Sequence, residues 1–272
     1  MALSALSRLN PSILMTYLVT LCVWLYMRER IWASGFCLAA SIAVKIFPAL
    51  LLVYFVFRRK FRLAAITALW LSIFVVLVPS AVFGIHGNWA LLSRWFHDYV
   101  VPMNGAADTR VRSEFWECFK PYGAGNQSVQ AIFVRLMPNM PTLAHRLSMA
   151  VNGVLLLITA WACRPRVSRP EGRALLQLCA MMPLMLLVSP LSWSHYFTLL
   201  LLPLSVALVT SLCDTASFGR TCARIGLASY VGGLGLATLF HTLYKFGILS
   251  CGTVGLWLAS IVWLGRRRTS SM

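Results

Sequence analysis

RALLQLCAMMPLMLLVSPLSWSHYFTLLLLPLSVALVTSLC, residues 173–213, decides the fold. It holds two apolar runs, 173–190 and 194–213, each near the roughly 20 residues that a helix needs to cross the hydrocarbon of a bilayer. Neither run alternates apolar with polar residues, so the pattern is helical and not that of a membrane β-barrel. Between them the sequence turns polar and aromatic, with Ser189-Pro190 suited to ending a helix, then Trp193 and Tyr196 on either side of His195.

Runs of the same kind recur at 12–27, 63–83, 142–163, 222–243 and 247–265, with an interrupted one at 31–57. The 272-residue chain is 59% hydrophobic and 11% charged, and its mean hydropathy is +0.76. A soluble domain carries about 25% charged residues. The expected fold is therefore all-α: a polytopic transmembrane helix bundle of about 7–9 membrane segments. Residues 1–272 form one integral membrane domain, with 84–141 as its external loop region.

The formal charge of +17 does not point to nucleic acid, because the cations sit in short clusters between apolar runs. They are Arg58-Arg59-Lys60 with Arg62, then Arg164, Arg166, Arg169 and Arg173, and finally Arg266-Arg267-Arg268. Basic loops stay on the cytoplasmic side, where they also attract anionic headgroups. On that rule 63–83 runs outward, 84–141 and the segment around His195 are external, and the C-terminus is cytoplasmic. Arg28-Glu29-Arg30 fits only if 31–57 does not simply cross. Its VKIFP sequence at 44–48 puts Lys45 and Pro48 near mid-run, where proline removes a helix donor and a charge is costly. A broken hairpin that dips in and returns is preferred to a single span, and it leaves the N-terminus external.

The eight cysteines form no CxxC pair, and all but Cys118 lie in or beside apolar runs. They read as small packing residues rather than as disulfides or a metal site. No cleavable signal peptide is expected at the N-terminus. In the external region, Val129, Ile132, Phe133, Leu136 and Met137 share one helical face. Asn126 or Ser128 is placed to cap that helix, which is expected to lie on the outer membrane surface with Arg135 near headgroups.

Four blocks carry a resemblance: AASIAVKIFPALLLVYFVFRRKFR (39–62), FGIHGNWALLSRWFHDYVVP (83–102), GNQSVQAIFVRLM (125–137) and SPLSWSHYFTLLLLP (189–203). In that order they resemble glycosyltransferase family 87, the polytopic C-type enzymes that include polyprenol-phosphate-mannose-dependent α-mannosyltransferases of bacterial envelopes. The resemblance covers about residues 10 to 205; the last two spans match in hydropathy only. It implies an integral inner-membrane hexosyltransferase or mannosyltransferase with its active face extracytoplasmic. The donor would be a polyprenyl-phosphate sugar and the acceptor a lipid or glycolipid, with inversion, no cofactor and no metal. Such a transfer requires a carboxylate to deprotonate the acceptor hydroxyl and donors to stabilise the departing phosphate.

Members of that family are longer, and their expected catalytic aspartate lies in a first external loop. None of Asp98, Asp108, Glu114 or Glu117 matches it by motif, so the catalytic residue is unassigned and the chain is expected to lack the N-terminal part of the family. The substrate-binding candidates are His195, Trp193, Tyr196, Asn126, Gln127 and Lys45. His195 would hydrogen-bond the donor phosphate or position the acceptor, with Trp193 and Tyr196 lining the sugar or prenyl passage. The alternative for these three is an interfacial belt, a depth that Trp and Tyr favour. Lys45 would meet phosphate or snorkel to the cytoplasmic interface; Asn126 and Gln127 would cap a helix or contact sugar hydroxyls. A catalytically inactive fragment or a non-enzymatic membrane subunit remains open as an alternative. A transporter fits less well, because the sequence has no internal repeat.

Overall fold

The computed structural model describes residues 11–97, 122–164, 171–214 and 217–266. Asp98, Asp108, Glu114, Glu117 and Cys118 lie outside them. Among the described residues every regular element is helical. The chain opens with α1 (Ser12–Met27), α2 (Ile31–Val44) and α3 (Ala49–Phe57). Next come α4 (Phe61–Ser72), a π-helical turn (Ile73–Leu77) and α5 (Val78–Trp95). A short α6 (Val129–Leu136) and α7 (Pro141–Cys163) follow, then α8 (Glu171–Val188), a 3₁₀ segment (Ser194–Leu200) and α9 (Leu201–Cys213). The last elements are α10 (Ser217–Leu239), a second 3₁₀ segment (His241–Phe246) and α11 (Ile248–Arg266). Five helical stretches are long and apolar enough to span a membrane: Phe61–Trp95, Pro141–Cys163, Ser194–Cys213, Ser217–Leu239 and Ile248–Arg266.

The interrupted run at 31–57 is a broken hairpin. Lys45 is extended (φ −151°, ψ 132°) between α2 and α3. Pro48 has no N–H to donate back into α2 and disfavours helix in the residue before it. The hairpin returns to the end from which it started, because Tyr26 on α1 meets Phe55 on α3 with ring centroids 5.0 Å apart. Arg58 Nη1 donates to the Cys163 carbonyl at 3.1 Å, so α7 ends there too. The two basic turns share one geometry. Glu29 and Arg59 take left-handed φ values of 58° and 57°, and Arg30 and Lys60 donate to Leu25 and Phe55 five residues back. This end of the bundle is basic, as the charge clusters predict.

The span expected at 63–83 ends where the sequence places it. Gly84 has φ 74° and ψ 162°, and the chain folds back there. Pro79 cannot donate to the carbonyl of Val75, four residues earlier. Asn88 fills that deficit, its Nδ2 donating to Val75 O (3.2 Å), Val76 O (3.3 Å) and Ser80 Oγ (3.1 Å). Its side chain is buried, while Ile85 and Trp89 on the same segment are 77% and 73% exposed.

The core forms around α8, in which every residue from Leu176 to Leu187 is buried; a helix that is apolar all round belongs inside. α10 and α11 pack against one another where glycines admit close approach. A Cβ on Gly252 would stand 2.8 Å from the Ser229 carbonyl and 3.1 Å from Tyr230 Cα. Among the described cysteines, Cys22, Cys37, Cys163, Cys179 and Cys222 are buried free thiols, as a packing role requires.

Candidate functional site

The end opposite the basic turns gathers the blocks that the sequence singles out, in two adjoining clusters. The first is a latch between loops. Ser128 caps α6, its Oγ accepting from Ala131 N–H at 3.1 Å. Asn126, fully buried, ties this start to the segment after α8. Its Nδ2 donates to Pro190 O at 2.9 Å, and its Oδ1 accepts from Ser192 N–H at 2.8 Å and Ser128 N–H at 3.0 Å. Ser128 Oγ also donates to Pro190 O at 3.0 Å, and Gln127 N–H to Ser192 O at 2.8 Å. Gln127 Nε2 reaches Ala124 O (2.7 Å) and Tyr244 O (2.9 Å), which brings in the 3₁₀ segment before α11. Trp193 pairs with Asn126 along the backbone, and its ring covers Gly125, where a Cβ would come within 2.6 Å of Cζ3.

Arg135 departs from expectation. The sequence places it near headgroups, yet its guanidinium turns inward onto the carbonyls of Asn126 (2.8 Å), Gly123 (2.9 Å) and Lys245 (2.9 Å). Backbone carbonyls outcompete headgroups here because one planar fork binds several at once. Burial lowers the Arg135 pKa from its ordinary value. Burial likewise raises that of Tyr244, with a hydrogen bond from Ser194 acting the other way.

The second cluster surrounds the break in the hairpin. Lys45 Nζ lies 3.4 Å from the centroid of the Tyr196 ring and donates to Ser12 Oγ at 3.0 Å. Ser12 opens α1 at the end far from its basic turn, so Lys45 does not snorkel toward the basic side. Phe47 stacks with Tyr196, their ring centroids 5.5 Å and planes 24° apart. His195 meets Tyr196 edge-on at 4.6 Å and is 8% exposed. Two residues beyond Tyr196, Thr198 Oγ1 lies 3.0 Å from Thr16 Oγ1 on α1.

Thus Lys45, His195 and Tyr196 converge, with Trp193 two residues before His195 in the chain. Asn126 and Gln127 stand behind them, their amides engaged with backbone. Sequence reasoning missed Ser12, Thr16 and Phe47 as partners. The signal was present in the i, i+4 pair Ser12 and Thr16, polar residues on one face of an apolar helix. Chemically the cluster offers one ammonium, one imidazole and several hydroxyls beside aromatic surfaces. That set suits an anion attached to an apolar chain, since charge-assisted hydrogen bonds favour the anion and rings favour the chain. Among the described residues no group of His, Cys, Asp or Glu could hold a metal ion.

No solved structure matches the chain. It is 30% identical, over 221 residues, to the polyprenol-phosphate-mannose-dependent alpha-(1-2)-phosphatidylinositol mannoside mannosyltransferase of Mycobacterium tuberculosis. That match covers 80% of this chain and 45% of the relative, so the chain spans about half the length of the curated relative it matches. The model of glycosyltransferase family 87 matches residues 2–190, which takes in α1 through α8 and ends at Pro190. This membrane-embedded helical chain belongs to glycosyltransferase family 87.

Proposed function

We propose that this chain is a membrane hexosyltransferase, or the part of one, that takes a mannose-type sugar from a polyprenyl-phosphate donor. The transfer takes place at the end of the bundle opposite the basic turns, on the extracytoplasmic face of the inner membrane, and the acceptor is a lipid or glycolipid. Carrying the reading is the Lys45–Tyr196–His195 cluster, which puts a cation at the break of a helical hairpin beside an aromatic floor. Lys45 compensates the donor phosphate, and leaving Tyr196 for a phosphate oxygen exchanges a cation–π contact for a stronger charge-assisted one. His195 donates a hydrogen bond to the same phosphate as charge develops on it during departure. Trp193, Tyr196 and Phe47 pack against sugar and isoprenoid. Asn126 and Gln127 hold the loop that presents Trp193 and His195 and act as positioning residues. No described carboxylate stands in this cluster, so these residues bind and stabilise and are not the base.

Donor binding tests this directly. The chain in nanodiscs is titrated with polyprenyl-phosphate mannose, and binding is read by native mass spectrometry. Wild type binds, and Lys45→Met binds about ten- to a hundredfold more weakly, the scale of one hydrogen bond to a charged group. Equal affinity in the two proteins overturns the assignment of Lys45.

A further inference from the structure

A second set of anion-directed groups lies at the other end of the bundle, where the proposed transfer has no use for it. Fifteen of the chain's 24 Lys and Arg residues fall in its five basic segments (28–30, 58–62, 164–173, 214–224 and 266–268), against three of its seven acidic ones. Among the described ones, Arg28, Arg30, Arg59, Lys60 and Arg164 are exposed between helices. Arg58 and Arg173 are half-buried; Arg58 Nη1 donates to the Cys163 carbonyl at 3.1 Å from α3, and both guanidiniums act electrostatically on the Cys163 thiol. Arg58 also bears on the hydroxyls of Tyr26 and Tyr54. Arg173 sits in the first turn of α8, where the helix dipole already disfavours a cation and favours an anion.

Beneath them lies Gln177, one turn further along α8 and fully buried. Its Oε1 accepts from the Tyr54 hydroxyl at 3.0 Å, while its Nε2 has no hydrogen-bond partner. A buried amide N–H₂ left without an acceptor is destabilising, so this donor calls for an acceptor. The two neighbours that could flank it carry positive charge.

We propose that Arg58, Arg173 and Gln177 form a binding site for a phosphate anion at the basic end of the bundle, between α1, α3, α7 and α8. The anion accepts from both guanidiniums and from Gln177 Nε2, and it neutralises the cation at the α8 N-terminus. The chemistry is shared by a phospholipid headgroup of the cytoplasmic leaflet and by soluble phosphate. The site does not depend on the donor-binding reading above.

The test uses the full chain in nanodiscs of phosphatidylcholine with one tenth phosphatidylglycerol, released for native mass spectrometry. Wild type retains one phosphatidylglycerol, or in pure phosphatidylcholine gains thermal stability with millimolar inorganic phosphate; the first identifies the headgroup as the source, the second the free ion. The R58Q/R173Q variant loses either response at least about tenfold, consistent with two charged hydrogen bonds. R59Q/K60Q removes the same charge from an exposed turn and keeps it. R58K/R173K retains part of it, which separates lost binding from lost folding. Equal responses in R58Q/R173Q and R59Q/K60Q, or no response in wild type, overturn the site.

Discussion

Lys45, at the break of the α2–α3 hairpin, rests its ammonium 3.4 Å above the ring of Tyr196, on the segment that follows α8. The contact joins two of the sequence blocks that carry the resemblance; Lys45 lies within the residues the family model matches and Tyr196 beyond them. The contact also holds a charge inside an apolar bundle, in a position from which a stronger anion can draw it. Replacing Tyr196 with Phe keeps the ring, and donor affinity should stay within about twofold. Leucine removes the ring and should weaken binding several-fold, as expected from a cation–π contact worth about 1 kcal/mol. Titration of both variants with polyprenyl-phosphate mannose separates ring from hydroxyl.

His195→Ala should lower transfer from that donor by about 10²-fold, the usual scale for one preorganised donor at a developing charge. His195→Gln preserves a donor of similar reach and should retain more activity than Ala. An interfacial belt residue behaves otherwise, leaving turnover within a few-fold in both variants. Transfer assays in membranes decide between them, with equal near-normal rates excluding a role at the phosphate.

Asn126→Ala strands the N–H groups of Ser128 and Ser192, both served by one amide, and leaves the Pro190 carbonyl to Ser128 Oγ alone. The loss should be about 3 kcal/mol, the scale of buried groups left unpaired. It should appear as an apparent melting temperature lower by about 5–10 °C. Asn126→Asp restores only the accepting half and should remain destabilised, because its carboxylate faces the Pro190 carbonyl. Thermal unfolding in detergent reads both; a neutral N126A variant would contradict the latch.

Gly125→Ala should disturb the same latch by steric means, since its Cβ would meet Trp193 Cζ3 at 2.6 Å. Crowding of that order costs about 1–3 kcal/mol. Trp193 emission should shift toward that of a wetter indole, whereas Gly153→Ala, with open space around it, should change neither emission nor stability.

Cysteines introduced at Lys60 and Asn139 should label from opposite sides of the membrane, K60C from the cytoplasm and N139C from outside. Native Cys118, outside the described residues, is expected to label with N139C. Labelling of K60C and N139C from one side would overturn the orientation.

Hydropathy and punctuation made much of this legible. Pro48 with Lys45 announced the hairpin break, and Gly84 sits at the end of the run that stops at 83. Both are local effects, written where they act. The partners of Asn126 were hidden for a physical reason: it binds the backbone of 190–192, and any sequence offers carbonyls and N–H groups. Arg135 was misplaced for the same reason, because the Lys245 carbonyl that draws it inward comes from a distant segment. Lys45 and Tyr196 were each suspected separately, but their contact depends on how α1, α2 and α8 pack, and no short-range pattern encodes that.

The hairpin break has a consequence for biosynthesis. Residues 31–57 carry enough apolar length to be threaded through the membrane as a single pass, and one mistaken pass would invert every helix after it. Arg28, Arg30, Arg58, Arg59 and Lys60 oppose that error by anchoring both ends of the segment on one side. Glu29 and Arg59 occupy left-handed positions that glycine would adopt with less strain. For Arg59, a residue that helps fix the direction of insertion stands where folding alone would favour glycine.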